Sequence, residues 1–101
     1  MAAGDFGLAL EERLGHRVAV LRGELDSAAA QGLADELAGI ECSALVVDLS
    51  GLTFISAAGV GELLQLKRVL EFDGTPLVLL GATGMVRRVF GILRMEDMLA
   101  D

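Results

Sequence analysis

The chain has 101 residues, of which 53% are hydrophobic, and a formal net charge of -7. This length fits one compact domain, residues 1–101, and the apolar content argues against intrinsic disorder. The negative charge disfavours nucleic acid and anionic lipid as partners, and no apolar run approaches the roughly 20 residues that a membrane-spanning helix needs.

The first elements along the chain form a predicted β-hairpin. Phe6, Leu8 and Leu10 alternate with small or polar residues, which indicates a strand over 6–12 with one buried face. The run RVAVLRG alternates again and predicts a second strand that ends at Gly23. The turn between the two strands is expected at Gly15.

A helix is predicted after the hairpin. Asp26 or Ser27 can cap its N-terminus, and Gly39 is expected to end it in a left-handed conformation. One stripe of the helix is apolar and is predicted to face the core: Ala30, Leu33, Ala34 and Leu37.

The second half of the chain alternates strands with helices. SALVVDLS predicts a central strand covered on both faces, because it is apolar without alternation. The next helix is expected over 57–72, with Asp73-Gly74 at its end and four apolar residues facing inward: Val60, Leu63, Leu64 and Leu70. TPLVLLG then predicts a fourth strand, and Thr83 can cap a last helix that carries Val86, Val89 and Phe90. The final residues, ILRMEDMLAD, are expected to add one more helical turn.

This order, β-β-α-β-α-β-α, predicts an α/β fold. An N-terminal β-hairpin is followed by βα units, and right-handed crossovers make strands two to four parallel. The result is a mixed four-stranded sheet with flanking helices. Loops at the carboxyl ends of parallel strands are the usual binding sites in such sheets, and FISAAGVG, residues 54–61, is such a loop.

The loop 54–61 allows two interpretations. Ser56 precedes the second helix, whose first amides favour negative charge, and Ala57, Ala58 and Gly59 leave the backbone accessible. A simpler interpretation makes Ser56 an N-cap and explains the small residues by tight packing of the helix start on the third strand.

The residues for enzyme chemistry are scarce. One cysteine, Cys42, and one histidine, His16, cannot supply four ligands to a zinc ion within one copy, and nothing in the spacing brings His16 to a serine. Gly81-Ala82-Thr83-Gly84 precedes a helix but lacks the lysine of a phosphate-binding P-loop. We therefore expect no catalytic residues, no metal and no cofactor.

Four segments together resemble the STAS domain family, in particular the bacterial anti-sigma factor antagonists. They are GELD at 23–26, VVDLSGLTFIS at 46–56, AGVGELL at 58–64 and VRRVF at 86–90. The resemblance implies a sheet with flanking helices, as derived above. It also implies a non-enzymatic protein that binds an anti-sigma factor, often a GHKL-type serine protein kinase, and so frees a sigma factor.

The family's regulatory loop typically reads Phe-x-Asp-Ser-Ser-Gly, and its first serine is phosphorylated by the partner kinase. Phe54 and Gly59 match this pattern, but Ser56 stands at the aspartate and Ala57 at the phosphoacceptor. The resemblance therefore implies that the usual acceptor hydroxyl is missing. Ser56 as an acceptor displaced by one residue is a weaker alternative, because an N-cap role already uses its oxygen.

The resemblance also implies a partner-binding surface and a second candidate function. The predicted surface comprises six residues: Ser56, Ala57, Ala58, Gly59, Val60 and Glu62. STAS subunits of phospholipid-trafficking ABC transporters, which bind an ATPase, can also be this short, since many antagonists carry a further strand and helix. We expect an uncovered sheet edge, a monomer or weak dimer when the protein is free, and a cytoplasmic location, because the N-terminal segment has no signal-peptide pattern.

Overall fold

The computed structural model describes residues 5–101. The N-terminal segment on which the signal-peptide expectation rests lies partly outside these residues. The secondary structure comprises four strands, three α-helices and a 3₁₀ turn: β1 (Phe6–Arg13), β2 (His16–Leu25), α1 (Ser27–Leu37), β3 (Leu45–Ile55), α2 (Ala57–Phe72), β4 (Leu77–Leu80), α3 (Gly84–Ile92) and the 3₁₀ turn Glu96–Met98. The predicted element order and the α/β class are confirmed.

The four strands form one sheet in the order β1-β2-β3-β4. β1 and β2 pair antiparallel, whereas β2 with β3 and β3 with β4 pair parallel. β2 extends two residues beyond the predicted end at Gly23, because Glu24 and Leu25 pair with Phe54 and Ile55. This extension brings the end of β2 beside the start of α2.

All three helices pack on one face of the sheet. Their buried side chains form a single core with the sheet residues of that face, among them Leu21, Val47 and Leu79. Val18 and Val20 are also buried but do not belong to this core. The expectation that β3 is covered on both faces is therefore wrong: its burial alternates from Leu45 to Leu49, as in a sheet with one helix-covered face.

The helix-free face carries a polar contact across the strands. The Arg13 guanidinium binds Glu11 of β1 at 2.6 Å and lies 3.9 Å from Asp48 of β3, so it passes over β2. The backbone N–H of Ser50 donates to Asp48 at 2.9 Å. The two hydrogen bonds from Ser50, and secondarily the Arg13 charge, hold the pKa of Asp48 below its ordinary value.

The helix ends differ in part from the prediction. Asp26 is the N-cap of α1 and accepts the Ala29 N–H at 2.9 Å. Gly39 does not adopt the left-handed conformation, so that expectation is wrong; instead the Ile40 N–H donates to the Leu37 carbonyl. Gly74 does end α2 with φ +88, as the sequence predicts. Thr83 stands at the N-cap of α3, but its side chain makes no capping hydrogen bond.

Hydrogen bonds of Lys67 and Glu71 link the C-terminal end of α2 to β4. Lys67 Nζ donates to the Glu71 carboxylate at 2.8 Å and to the Leu77 carbonyl at 2.9 Å. The Lys67 hydrogen bond, together with the Leu77 N–H, lowers the pKa of Glu71 from its ordinary value. The contact sets the distance between the end of α2 and the start of the fourth strand.

The outer edge of β4 is partly covered, contrary to expectation. Leu99 forms a parallel bridge with Leu79, and the Ala100 N–H donates to the Leu79 carbonyl at 2.8 Å. The Gly81 N–H donates to the Asp101 carboxylate at 3.1 Å. Residues 99–101 thus cover part of the β4 edge.

The turn of the β-hairpin contains a strained leucine. Leu14 and Gly15 have φ values of +54 and +82, the pattern of a two-residue type I′ turn, which favours Asn-Gly. Leu14 is 99% exposed, so its side chain gains nothing from packing to offset the left-handed backbone.

We expect Leu14→Asn to raise the free energy of unfolding by about 0.5–1 kcal/mol, since asparagine tolerates this conformation. Urea denaturation of both proteins measures the difference. Leu14→Ala is the control, because it removes the leucine without relieving the backbone. If Leu14→Asn is no more stable than Leu14→Ala, the claim that the backbone is strained at residue 14 is wrong.

Candidate functional site

The loop 54–61 lies at the carboxyl end of the parallel strands, as predicted. β3 ends at Ile55 and α2 begins at Ala57, so the direction of the chain reverses at a single residue, Ser56. α1 also begins at this edge of the sheet, just after β2. The starts of two helices therefore lie side by side at one end of the molecule.

Ser56 has a defined structural role. Its Oγ accepts the N–H of Gly59 at 3.0 Å and lies 3.5 Å from the carbonyl of Leu25, to which it donates. The Ser56 N–H donates to the same carbonyl at 3.1 Å. Ser56 is half-buried, and its hydroxyl is used both as the N-cap of α2 and as a link to the end of β2.

Gly59 faces the sheet at very close range. A Cβ atom at this position would lie 2.6 Å from the Leu25 carbonyl oxygen and 3.0 Å from Ile55 Cγ1. Val60 is fully buried in the core. The expectation that Gly59 and Val60 contact a partner disagrees with this burial, since neither offers a side chain to solvent. Their role is to hold the start of α2 against β2 and β3.

The packing of Gly59 also sets which side of α2 faces the core. Residues four, seven and eleven positions further lie on the same side of a helix; these are Leu63, Leu66 and Leu70, and all three are buried. Leu64, which was predicted to face inward, is half-exposed because it lies to the side of that stripe.

The solvent-facing part of the site is small and smooth. Ala57 and Ala58 are exposed on the first turn of α2, and Glu62 is half-exposed on the second. Methyl groups at 57 and 58 let another surface approach the backbone closely. The exposed part of the site thus consists of two methyl groups and, one turn further along α2, one carboxylate.

We expect Gly59→Ala to lower the free energy of unfolding by about 1–3 kcal/mol, because the new methyl group overlaps a backbone oxygen that cannot move without shifting β2. Gly61→Ala is the matched control two residues along the same helix, where an added Cβ meets nothing within 4 Å. It should stabilise the protein by about 0.5–1 kcal/mol. Thermal unfolding of both variants with equal midpoints would contradict the close contact.

The other candidate loop, residues 81–84, is held by hydrogen bonds to other parts of the chain. Gly81 has φ +81 and its N–H binds Asp101, while Arg87 Nε donates to the Ala82 carbonyl at 3.0 Å.

Among residues 5–101, no three His, Cys, Asp or Glu side chains lie close enough together to hold a metal ion. No helix in this part of the chain is long and apolar enough to span a membrane.

The family was decided by comparison with known protein families. The family model described as "Mlab, STAS domain" matches residues 8–100. The chain belongs to the STAS domain family. The match covers all three helices and all of the sheet except the first two residues of β1, so the resemblance carried by GELD, VVDLSGLTFIS, AGVGELL and VRRVF is confirmed. No curated protein sequence gives a significant match to this STAS domain.

Solved structures share the fold over nearly the full chain. The anti-sigma factor antagonist SpoIIAA in its unphosphorylated form is 25% identical, with a TM-score of 0.78 over 94% of this chain and 87% of that chain. SpoIIAA of Bacillus in its phosphorylated form is 24% identical, with a TM-score of 0.71 over 94% and 90%. An anti-sigma factor antagonist from Mycobacterium paratuberculosis is 21% identical, with a TM-score of 0.79 over 98% and 86%. The STAS domain thus resembles the antagonist branch.

Sequence reasoning located the loop but missed how it is fixed. The carbonyl of Leu25 receives both bonds from Ser56 and faces Gly59, whereas the sequence predicts that the second strand ends before Leu25. A two-residue extension of the alternating pattern, through Gly23 to Leu25, was the signal available in the sequence.

Proposed function

We propose that this STAS domain is an anti-sigma factor antagonist that binds an anti-sigma factor through the start of α2 and so frees a sigma factor. The observation that carries the proposal is the loop 54–61: a rigid helix start, fixed by Ser56, that presents Ala57 and Ala58 to solvent at the edge where such sheets bind partners. The similarity to SpoIIAA at 25% identity supports it.

We infer further that the domain is not switched by phosphorylation. Ala57 stands at the position of the family's phosphoacceptor and has no hydroxyl. The neighbouring Ser56 is an unsuitable substitute, because its oxygen is half-buried and engaged with Gly59 and Leu25. The partner, proposed to be a GHKL-type serine kinase, would then be held whether or not ATP is hydrolysed.

A second candidate is supported by the description of the matching family model, "Mlab, STAS domain". In this alternative the domain is a subunit of a phospholipid-trafficking ABC transporter and binds its ATPase. The same exposed helix start would form the contact. The two candidates differ in the partner rather than in the surface.

The deciding experiment is copurification of the tagged domain from its native cells, followed by reconstitution with the purified partner. Recovery of a sigma-factor regulator that forms a complex with the pure domain supports the first candidate. A complex with a transporter ATPase instead establishes the second and refutes the first. Ala58→Arg, which enlarges an exposed residue of the proposed docking surface, is the control for non-specific capture, because it should lose only the specific complex.

A further inference from the structure

The end of α2 remote from Ser56 carries the most exposed aromatic side chain among the described residues. Phe72, on the last turn of α2, is 91% exposed, and Val69 beside it is 40% exposed. Arg68 lies one turn before Phe72 on the same side of the helix. Arg68 is exposed and forms no ion pair within residues 5–101.

An open cleft of about 400 Å³ lies at the same end of the molecule. Its walls come from the chain segment after α1 and from the end of α2: Ala38, Gly39, Ile40, Glu41, Cys42, Leu70, Asp73 and Thr75. Cavities of about 150 Å³ already hold a benzene ring. The cleft therefore has room for a phenylalanine side chain.

The exposed Phe72 side chain and the cleft are complementary in charge as well as in size. The cleft includes two exposed carboxylates, Glu41 and Asp73, whereas the phenyl ring is accompanied by the Arg68 guanidinium. Phe72 cannot fill the cleft of its own chain, because it points into solvent from the helix that forms one wall. A second copy offers the matching cleft.

We propose that two copies of this chain form a two-fold symmetric dimer through this end of the molecule. Phe72 of each copy enters the cleft of the other, and Arg68 of each copy faces Glu41 and Asp73 of the other. A two-fold axis repeats every contact, as in most protein dimers. One Phe72 side chain and one cleft per chain therefore suffice to form the dimer. The inference is independent of the proposed function.

This arrangement leaves the start of α2 free in both copies, because Phe72 and Ser56 lie at opposite ends of the helix. The dimer would present two docking surfaces pointing away from each other. A partner that is itself dimeric would then bind with increased avidity.

The test is sedimentation equilibrium of the whole chain under reducing conditions, which exclude disulfides of Cys42. The wild type should reversibly form dimers and no larger species, and Phe72→Ser should raise the dissociation constant at least tenfold, as for a central aromatic contact. Met85→Ser is the matched control: it removes another exposed apolar residue, at the opposite end of the molecule, and should leave the dimer unchanged.

Charge reversal tests the pairing directly. Arg68→Glu should weaken the dimer, and adding Glu41→Arg should bring the dissociation constant back toward the wild-type value but not fully to it, because Asp73 of the other copy then still faces a carboxylate. The reaction rate of the Cys42 thiol with a disulfide reagent should fall as wild-type concentration rises, but not in Phe72→Ser. A monomer at all concentrations, a dimer unaffected by Phe72→Ser, or open-ended assemblies would each overturn the proposal.

Discussion

The Ala58→Arg variant is expected to lose partner binding by at least a hundredfold while keeping its fold. Ala58 is exposed on the first turn of α2, so a long charged side chain there costs the free domain little stability. In a docked complex the same side chain would separate two closely packed surfaces. Small residues near the centre of an interface are costly to enlarge, because the contact around them is lost as well.

The measurement is the affinity of each variant for the purified partner identified by copurification, determined by calorimetry. Gln31→Arg adds the same charge to an exposed position of α1 and should bind like the wild type. Ala58→Gln adds bulk without charge and separates the two contributions. Equal affinity for Ala58→Arg and Gln31→Arg would remove the start of α2 as the docking surface, whatever the partner.

With the proposed serine kinase as partner, the Ala57→Ser variant is expected to gain a phosphorylation switch. Residue 57 is the first of α2 and is exposed, so a serine oxygen there could attack the γ-phosphorus of ATP held by the partner kinase, with ADP leaving and the hydroxyl proton lost. The phosphate adds a charge of about -1.5 to -2 at the docking surface, which should release the partner.

Intact-mass analysis after incubation with the partner and ATP should find one phosphoryl group on Ala57→Ser and none on the wild type or on Ala58→Ser. Complex formation followed in parallel should show ATP-dependent release for Ala57→Ser alone. Because Ser56 replaces the family's aspartate, modification that is only partial is also consistent with a new acceptor. A phosphate mapped to Ser56 of the wild type, with partner release, would place the switch one residue earlier.

The turns and helix caps could be predicted from the sequence because each depends on only a few neighbouring residues. The Leu14-Gly15 turn, the Asp26 and Ser56 caps and the Gly74 helix end each follow from the conformational preference or hydrogen-bonding capacity of one residue and its immediate neighbours. The order of strands and helices followed from hydrophobic periodicity in the same way.

Two expectations were wrong for different reasons: one depends on how segments distant in the chain pack together, and the other on the hydrogen bonds at the end of α1. The sequence made β3 appear covered on both faces, because Leu45–Leu49 is almost continuously apolar, but only the side of the helices is packed. Gly39 can adopt a left-handed conformation, yet α1 ends without it. The first outcome depends on which side of the sheet the helices occupy, and the residues of β3 alone do not specify that side.

The sequence by itself determined the family, the succession of elements and the absence of a hydroxyl at residue 57, since each depends only on residue identity and spacing. The tertiary structure decided which side of α2 faces the core, because the contact of Gly59 with the Leu25 carbonyl fixes the rotation of the helix. That contact buries Leu66 instead of Leu64, engages Ser56, and leaves Ala57 and Ala58 as the exposed surface. Helix rotation depends on packing against strands more than 30 residues earlier, and periodicity within the helix specifies only its apolar stripe.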